Sequence, residues 1–340
     1  MTDVTTLLHH VARGVNALSD RDSAGPSVPP YPDESQYALD LVVRDCLDHE
    51  RTPPAGIPEL IRWCTDLTAQ HWPAPFGPAY RGLALVDPVH RTRTRACAEL
   101  AGLAAVADEI MTETLADLSD SEAAERLRFL QSHVLVGPDT QRKLFMENPR
   151  EAHVVKFVKP LYRPASAAWI VRGRVALCDC GLPARTDDLA GEDMRWCERE
   201  TCPPGGRTAQ RFPAARVLLL HPALRLFVTL PSTLDIRVLD GFTSTGVPVR
   251  TVDRPTQRRE VCFPGQDPLT FRSYDRLVPS ALALDAAADG VDVAVIPDGS
   301  AMTAPAARQA FADNLPPGSR VVLATESELL AGALERNHDA

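Results

Sequence analysis

Four cysteines lie close together in the middle of the chain, at Cys178, Cys180, Cys197 and Cys202. They form a Cys-x-Cys pair and a Cys-x4-Cys pair, and a tight turn at each pair could present two thiolates to one metal ion. Tetrahedral Zn²⁺ takes four such ligands, and a loop-rich segment with little apolar content needs such a cross-link to hold a shape. Neither spacing is the usual two-residue gap, so unligated thiols are the alternative. The pattern predicts a closed structural zinc site.

The rest of the chain offers few other motifs for chemistry. No histidine lies between Cys178 and Cys202, so a catalytic zinc with an open position is not expected. The sequence contains no glycine-rich phosphate-binding motif and no Gly-x-Ser-x-Gly motif, which argues against an NTPase and a serine hydrolase. Buried, inert thiols are predicted for the four isolated cysteines, Cys46, Cys64, Cys97 and Cys262.

The charges are unevenly distributed. The chain has a net charge of −9, which by itself argues against nucleic-acid binding. Between Pro203 and Ser280, however, the sequence contains eleven arginines and only six acidic residues. Arginine can bind phosphate bidentately, so this segment predicts nucleic-acid contact, with a solvated arginine-rich surface as the alternative. The arginines predicted to bind nucleic acid are Arg225, Arg237, Arg254, Arg258, Arg259, Arg272 and Arg276.

The length and composition of the chain are those of an ordinary soluble protein. With 340 residues, 44% hydrophobic and 24% charged, the chain is long enough for two or three ordinary soluble domains. No stretch approaches the eighteen or so apolar residues of a membrane span, and residues 1–18 lack the apolar centre of a signal peptide. We therefore expect a cytoplasmic protein without a membrane partner, whose reduced thiols favour metal binding over disulfides.

The sequence of the first third of the chain predicts helices separated by proline-rich loops. Apolar residues recur there at steps of three and four residues. The predicted helices are Val4–Leu18, Glu34–His49, Ile57–Gln70, Pro88–Leu118 and Ser121–Leu130. A helical N-terminal domain over residues 1–130 follows from this pattern.

Short β-rich runs begin at His133 and continue beyond the cysteines. Strands are predicted at His133–Val136, Val154–Val158 and Trp169–Leu177, and later at Arg216–Leu220, Val247–Thr251, Arg259–Phe263 and Leu269–Arg272. A closing βαβα unit with apolar strands implies a sheet covered on both faces. The predicted fold is α/β, or α+β overall. After the helical domain, we predict a β-rich connecting segment over residues 131–177, a zinc-ribbon-like insertion over 178–206 and a mixed-sheet domain over 207–340.

Seven short motifs follow one another in this order of segments: His133-Val-Leu-Val-Gly137-Pro138, Cys180-Gly181-Leu182-Pro183, Trp196-Cys197-Glu198 with Cys202, Arg225-Leu-Phe227-Val228, Val261-Cys-Phe263-Pro264-Gly265, Pro279 with Leu282, and Val295-Ile296-Pro297-Asp298. Their order and spacing resemble those of the restriction-endonuclease-related proteins of the prokaryotic PIWI-RE (pPIWI-RE) gene islands. The likeness runs from about Gln131 to Glu335 and is looser over the N-terminal helices. The resemblance implies a nuclease fold with a zinc-ribbon insertion, working beside a PIWI-like protein and a helicase in defence against invading DNA.

The same resemblance implies that the nuclease centre is degenerate. Such a nuclease holds Mg²⁺ with two or three carboxylates and uses a lysine to activate water. The positions expected to hold the acid, acid and lysine are Arg258, Arg272 and Tyr274, and the upstream glutamate falls at Asp235. All three lysines precede residue 160, and arginine stays protonated and cannot act as a base. No catalytic residues and no Mg²⁺ are therefore expected.

Three functions remain open at this point. The first is a non-catalytic adaptor of a defence complex that contacts DNA or an RNA/DNA hybrid. The second is an active Mg²⁺-dependent nuclease with displaced residues, for example Asp235, Glu260, Asp267 and Asp275. The third is a protein-interaction scaffold that binds no nucleic acid. We expect the first.

Overall fold

The structure is a computed structural model in which helices and short strands alternate along the chain. It describes residues 4–19, 29–67, 71–72, 76, 80, 83–138, 142, 146–147, 149–186, 195–200, 202, 208–263 and 265–332. The helices are α1 Val4–Ser19, α2 Asp33–Asp48, α3 Ile57–Trp63, α4 Arg95–Leu100, α5 Leu103–Leu115, α6 Asp120–Ser132, α7 Pro149–Val158, α8 Leu230–Thr245, α9 Pro279–Asp289, α10 Pro305–Asp313 and α11 Glu326–Leu330. Within these residues no helix combines the length and the apolar content that crossing a membrane requires.

The strands form three sheets. They are β1 Leu135–Val136, β2 Tyr162–Pro164, β3 Ile170–Val171, β4 Arg174–Cys178, β5 Pro183–Thr186, β6 Arg195–Cys197, β7 Thr208–Pro213, β8 Leu218–Leu220, β9 Val249–Asp253, β10 Arg258–Val261, β11 Leu269–Ser273, β12 Val293–Ile296 and β13 Val322–Thr325. This mixture of a helical N-terminal region and several sheets agrees with the predicted α/β class.

Contacts within the chain divide it into two compact units, each assembled from three stretches. The first unit contains Met1–Leu103, Val134–Lys143 and Leu161–His221, and the second contains Ala104–His133, Leu144–Pro160 and Pro222–Ala340. The helical region of residues 1–130 contributes to both units. The four-segment division into 1–130, 131–177, 178–206 and 207–340 stays a prediction.

In the first unit, the amphipathic helix α1 packs against α2. Leu8 and Val11 of α1 are buried, and a Cβ at Gly14 would come within 2.9 Å of the Cβ of Ala38. Glycine is therefore needed for this close approach. The unit also contains the sheet in which β3, β4, β5 and β6 follow one another and β7 pairs with β4.

The segment Trp169–Leu177, predicted as one strand, is a hairpin of β3 and β4. Its two-residue turn is Arg172-Gly173, with φ of 49° and 72°. Positive φ at both positions is the type I′ geometry that matches the twist of paired strands. The turn therefore places Arg172 at the tip of the hairpin.

The second unit is built on a five-stranded mixed sheet. The strand order is β13-β12-β11-β10-β9, antiparallel through β9, β10 and β11 and parallel through β11, β12 and β13. All four residues of β12 are buried: Ala294 and Ile296 belong to one apolar cluster, and Val293 and Val295 belong to another. The sheet is therefore covered on both faces, as its apolar strands predict.

Besides the hairpin of β3 and β4, three further element predictions differ clearly from the structure. Residues 154–158 lie in helix α7, because Val154, Val155 and Val158 form one buried helical face. The predicted helix Pro88–Leu118 is two helices, separated at Gly102, whose φ is 80°. Helix α3 ends at Trp63, and residues 68–70 of its predicted end lie outside the described residues.

The isolated cysteines divide into two classes. Cys46, Cys64 and Cys97 are buried, as predicted for inert thiols, whereas Cys262 is exposed. Burial raises the pKa of Cys46 to about 11, so this thiol stays protonated at neutral pH. Cys262 follows the last residue of β10, where the chain leaves the sheet.

Candidate metal centre and the predicted nuclease face

The four clustered cysteines meet at one point in the first unit. Their sulfur atoms all lie within 4.8 Å of one another, and the four could hold a metal ion. The Sγ atoms of Cys178 and Cys202 are 3.7 Å apart, and those of Cys180 and Cys197 are 3.4 Å apart. Two ligands on one tetrahedral Zn²⁺ are separated by about 3.8 Å, given Zn–S bonds of about 2.3 Å. The donor set therefore fits an ion of this size and geometry.

Two similar turns present these sulfurs. In the first, the N–H of Gly181 donates to the carbonyl of Cys178 at 2.8 Å, and Gly181 has a φ of 86°. In the second, the N–H of Glu200 donates to the carbonyl of Cys197 at 2.8 Å, and Glu200 has a φ of 62°. Each turn thus closes three residues after its first cysteine through a left-handed residue. Residues 187–194, 201 and 203–207 of the predicted insertion lie outside the described residues.

Strand ends fix where the turns begin. Cys178 is the last residue of β4 and Cys197 the last residue of β6, and both are buried. The N–H of Arg199 also points at the Sγ of Cys197 at 3.5 Å. Such a donor favours the thiolate form that binds a metal.

Three of the thiols differ in how readily they ionise without a metal. A hydrogen bond from Cys197 lowers the pKa of Cys180 to about 5, whereas burial raises the pKa of Cys202 to about 12. The pKa of Cys197 is raised because it donates to Cys180 and is buried. A bound cation would be required to hold Cys197 and Cys202 as thiolates at neutral pH.

A buried ion pair supports the second cysteine turn. Arg95 and Glu99 of α4 are completely buried, with Arg95 Nε 3.2 Å from Glu99 Oε1. The backbone N–H of Arg95 donates to the carboxylate of Glu200, and Arg95 Nη1 lies 3.4 Å from the carbonyl of Arg199. Burial raises the pKa of Glu200 to about 7. Helix α4 and the cysteine turn are therefore parts of one polar cluster within the first unit.

The structure brings together, in the second unit, three of the four residues predicted to mark a degenerate nuclease centre. Arg272 Nη1 lies 2.8 Å from Asp289 Oδ2, and the hydroxyl of Tyr274 donates to the same oxygen. Arg258 Nη1 donates to the backbone carbonyl of Asp289 at 2.9 Å. Arg272 Nη2 also lies 2.9 Å from Asp108 Oδ1. We call these five residues the arginine cluster.

The arginine cluster is closed to solvent at its centre. The side chain of Arg272 is only 6% exposed, and that of Asp289 is 9% exposed. Tyr274 is buried, and burial raises its pKa well above the usual range, so its hydroxyl stays a hydrogen-bond donor. A cation with two carboxylate partners therefore occupies the face of β11 where the resemblance implies metal-binding acids.

The fourth degenerate position lies apart from the other three. Asp235 on α8 is buried and accepts a hydrogen bond at 2.8 Å from Nη2 of Arg259. Its other oxygen, Oδ1, has no hydrogen-bond partner among the described residues. The structure thus pairs Asp235 with an arginine of strand β10.

The arginines predicted to bind nucleic acid are spread over very different environments. Arg225, Arg272 and Arg276 are buried, and Arg276 bonds Asp285 at 3.0 Å while lying 4.1 Å above the Phe227 ring. Arg237 pairs with Glu326 at 2.8 Å, and Arg254 pairs with Asp120 at 3.2 Å. Arg258 and Arg259 bond to Asp289 and Asp235 as described above. Much of their charge therefore faces carboxylates of the same unit.

The acids weighed for a displaced nuclease centre are also dispersed. Glu260 pairs with Arg250 at 2.5 Å, Asp267 is exposed and Asp275 is buried. Among the described residues, the four cysteines are the only group of three or more ligand-type side chains close enough to share an ion.

Two residues of the arginine cluster carried no signal in the sequence. Asp108 lies 164 residues before Arg272, and Asp289 lies 17 residues after it. Neither belongs to a motif, and Asp108 lies within a segment predicted only as part of the helix Pro88–Leu118. Long-range charge pairing of this kind has no spacing rule that a single sequence could reveal.

Comparison with known protein families gives a match in the helical region. Residues 7–135 match the family model described as pPIWI_RE three-gene island domain Y. That match covers α1 to β1 and lies on the helical region, ahead of most of the motifs that carry the likeness to nucleases. No curated protein and no solved structure matches the chain.

Proposed function

We propose that this chain belongs to the pPIWI-RE gene-island protein family, which the match over residues 7–135 supports, and that it is a non-catalytic adaptor of a defence system. In this proposal, its mixed sheet is a nuclease-like core that has lost metal-ligating carboxylates. The arginine cluster carries the proposal, because Arg272 lies buried between Asp289 and Asp108 at a position where a nuclease would hold an acid.

Electrostatics argue against magnesium at that face. A fixed guanidinium repels a divalent cation at short range, and the low dielectric of a buried site strengthens the repulsion. The two carboxylates in contact with it, Asp108 and Asp289, are already engaged by the guanidinium group of Arg272. No lysine follows Lys159, so no ammonium group of this sheet could activate a water molecule.

The four-cysteine centre fits a structural zinc-ribbon role. Four thiolates complete the tetrahedral shell of Zn²⁺ and leave no position for a substrate or water. Bound zinc would hold the turns at Cys178 and Cys197 together and so fix the ends of β4 and β6. In this proposal the metal stabilises a surface and supplies no chemistry.

Nucleic-acid contact is the second part of the proposal. DNA or an RNA/DNA hybrid would be bound through exposed arginines, while the helical region would dock the PIWI-like protein or helicase of the same island. Of the predicted arginines, Arg237 retains the largest exposure, with 46% of its side chain accessible. Buried arginines such as Arg276 would instead stabilise the domain that presents the contact surface.

A combined binding and cleavage assay tests this function. Purified chain is titrated onto labelled duplex DNA and an RNA/DNA hybrid with Mg²⁺ or Mn²⁺ present. We expect binding that weakens by more than tenfold between about 50 and about 200 mM salt, because phosphate contacts release counterions. We expect no cleavage, either alone or with the island's partner proteins.

The other outcomes identify the competing functions. Metal-dependent cleavage that Asp267→Ala abolishes would replace the adaptor with an active nuclease that uses displaced residues. Absence of binding to either nucleic acid at about 50 mM salt would leave a protein-interaction scaffold. Zinc content, measured on the same preparation, reports whether the cysteine centre is loaded.

A further inference from the structure

A small cavity lies in the second unit, between helix α8 and the mixed sheet. About 10 Å³ of it is open to the centre of a water molecule. One water molecule needs roughly 10–15 Å³ on this measure, so the cavity has room for a single small molecule. The residues that line it are all buried, and they are Phe227, Pro231, Asp235, Gln257, Arg272 and Ser273.

Two of the lining residues carry a polar atom without a hydrogen-bond partner. The atoms are Oδ1 of Asp235 and Oγ of Ser273, and neither finds a donor or acceptor within the part of the chain that the structure describes. Bulk water does not reach them, since the two residues are only 4% and 6% exposed. Leaving such groups unpaired is costly, and in native proteins an ordered water commonly satisfies those that no protein group reaches.

Strand alternation places Ser273 on the sheet face that α8 covers. Phe271 of β11 is buried in one apolar cluster with Leu234 of α8. Successive side chains of a strand point to opposite faces of the sheet, so Ser273 shares the face of Phe271, two residues before it. The hydroxyl of Ser273 therefore lies at the polar end of an apolar stripe.

Helix α8 presents Asp235 to the same face. Asp235, Val238 and Phe242 recur at steps of three and four residues, and all three are buried. Arg259 of β10 is paired with Phe271 of β11, so its side chain points to this face and reaches Oδ2 of Asp235 at 2.8 Å. The other carboxylate oxygen, Oδ1, remains available to a ligand in the cavity.

Gln257 supplies a third polar group to the lining. It lies in the turn between β9 and β10, and its Oε1 accepts a hydrogen bond at 2.8 Å from Nε2 of Gln131. That bond orients the amide group of Gln257, whose Nε2 is a donor. The cavity thus combines an acceptor, a hydroxyl that can donate or accept, and a donor, which are the partners that one water molecule requires.

Charge and volume argue against a metal ion in this cavity. Asp235 is the only carboxylate among the six lining residues, and Arg259 already offsets its charge. Mg²⁺ demands an octahedron of oxygen ligands and usually keeps several of its own waters. Room for a single molecule cannot contain such a shell, so a neutral ligand is favoured.

We propose that this cavity binds one ordered water molecule, which donates to Oδ1 of Asp235 and bonds the hydroxyl of Ser273, with the amide of Gln257 as its third partner. The water links α8, β11 and the turn between β9 and β10. Asp235 is thereby a ligand of a structural water and not of a metal. This site is independent of any contact with nucleic acid.

A crystal structure of the full chain, from crystals soaked in MnCl₂, tests the site directly. We expect one isolated density peak about 2.6–3.0 Å from both Asp235 Oδ1 and Ser273 Oγ, without anomalous signal from manganese. Absence of the peak would overturn the bound water and leave the proposed function standing. An anomalous peak at Asp235 would replace the water with a metal ion and would also contradict the metal-free nuclease core of the proposed function.

Thermal unfolding of Ser273→Ala tests the site in solution, because the sign of the change differs between a hydrated and a dry cavity. If the hydroxyl bonds a water, its removal should lower Tm by about 2–4 °C. If the hydroxyl is unpaired, its removal should leave Tm unchanged or raise it, and that result would overturn the proposal. Ser244→Ala is the control, since this exposed serine of α8 bonds the Gly241 carbonyl of its own helix, and it should change Tm by about 1 °C or less.

Discussion

The metal centre of the first unit and the arginine cluster of the second are both buried groups of polar side chains, and they are stabilised in different ways. The metal centre contains four ligands that become negative when they bind a cation. The arginine cluster contains both signs of charge, because Arg272 lies between Asp108 and Asp289. The cysteines could therefore hold an ion from solution, whereas the arginine cluster already contains its own cation.

This difference bears on function. A nuclease face that awaits Mg²⁺ would resemble the metal centre, with several acids close together and no cation of its own. The face of β11 has the opposite character, since its carboxylates already hold a guanidinium group. The comparison therefore favours a structural role for the arginine cluster and leaves metal binding to the cysteines.

The largest expected effect is the loss of the metal. Cys197→Ser should abolish zinc binding and unfold the cysteine turns, because structural zinc sites contribute on the order of 10 kcal/mol of apparent binding free energy to folding. Metal analysis and thermal unfolding with and without chelator measure this. Cys262→Ser, at an exposed cysteine outside the centre, is the control and should leave both unchanged.

A wild-type protein that contains no zinc would contradict a structural metal site at the four cysteines. Fewer than about 0.2 zinc ions per chain after purification without chelator would contradict a structural site, given how tightly such sites bind. Retention of full zinc content by Cys197→Ser would do the same.

An intermediate effect is expected from the arginine cluster. Asp289→Ala leaves the buried guanidinium of Arg272 with one carboxylate and removes the acceptor of Tyr274, so we expect a loss of about 3–5 kcal/mol in the free energy of unfolding. Asp267→Ala, at an exposed acid of the same unit, should cost about 0.5 kcal/mol or less. Urea unfolding at neutral pH measures both variants, and equal losses would show that the cluster is not a structural element.

The smallest expected effect is a difference in pH dependence. Burial raises the pKa of Asp285, although its partner Arg276 opposes the shift. The folded state therefore holds this proton more tightly than the unfolded state. Protonation of Asp285 therefore stabilises the folded state. This contribution is fully present below the ordinary carboxyl pKa of about 4, and it is lost as the pH rises through the pKa that Asp285 has in the folded state. The metal centre behaves oppositely, because protons displace the metal as the pH falls.

Unfolding of wild type and Asp285→Asn across the acid range measures this difference. Wild type should lose stability relative to the variant as the pH rises, whereas Asp240→Asn, at an exposed acid of α8, should track wild type. A wild type that gains stability relative to Asp285→Asn over that window would show that Arg276 outweighs the burial of this carboxyl group.

Local patterns in the sequence predicted much of the fold. The helices α1, α2 and α6 and the strands of the second unit follow the predicted positions closely, because periodicity and proline positions act over a few residues. Residues 154–158 were mistaken for a strand, since a five-residue apolar run does not distinguish a buried helix face from a strand. The break at Gly102 was missed because apolar spacing continues across it.

The two regions differ most in how far apart their members lie along the chain. The sequence by itself determined which four thiols could share an ion, because Cys178 and Cys202 are only 24 residues apart and a short turn presents each half of the cluster. Only the tertiary structure decided that α4 supports the second turn through Arg95. It also decided where the arginines lie, because one of the two partners of Arg272, Asp108, is 164 residues away on α5. Whether a charge faces solvent or a buried acid depends on which elements pack together, and that information is spread over the whole chain.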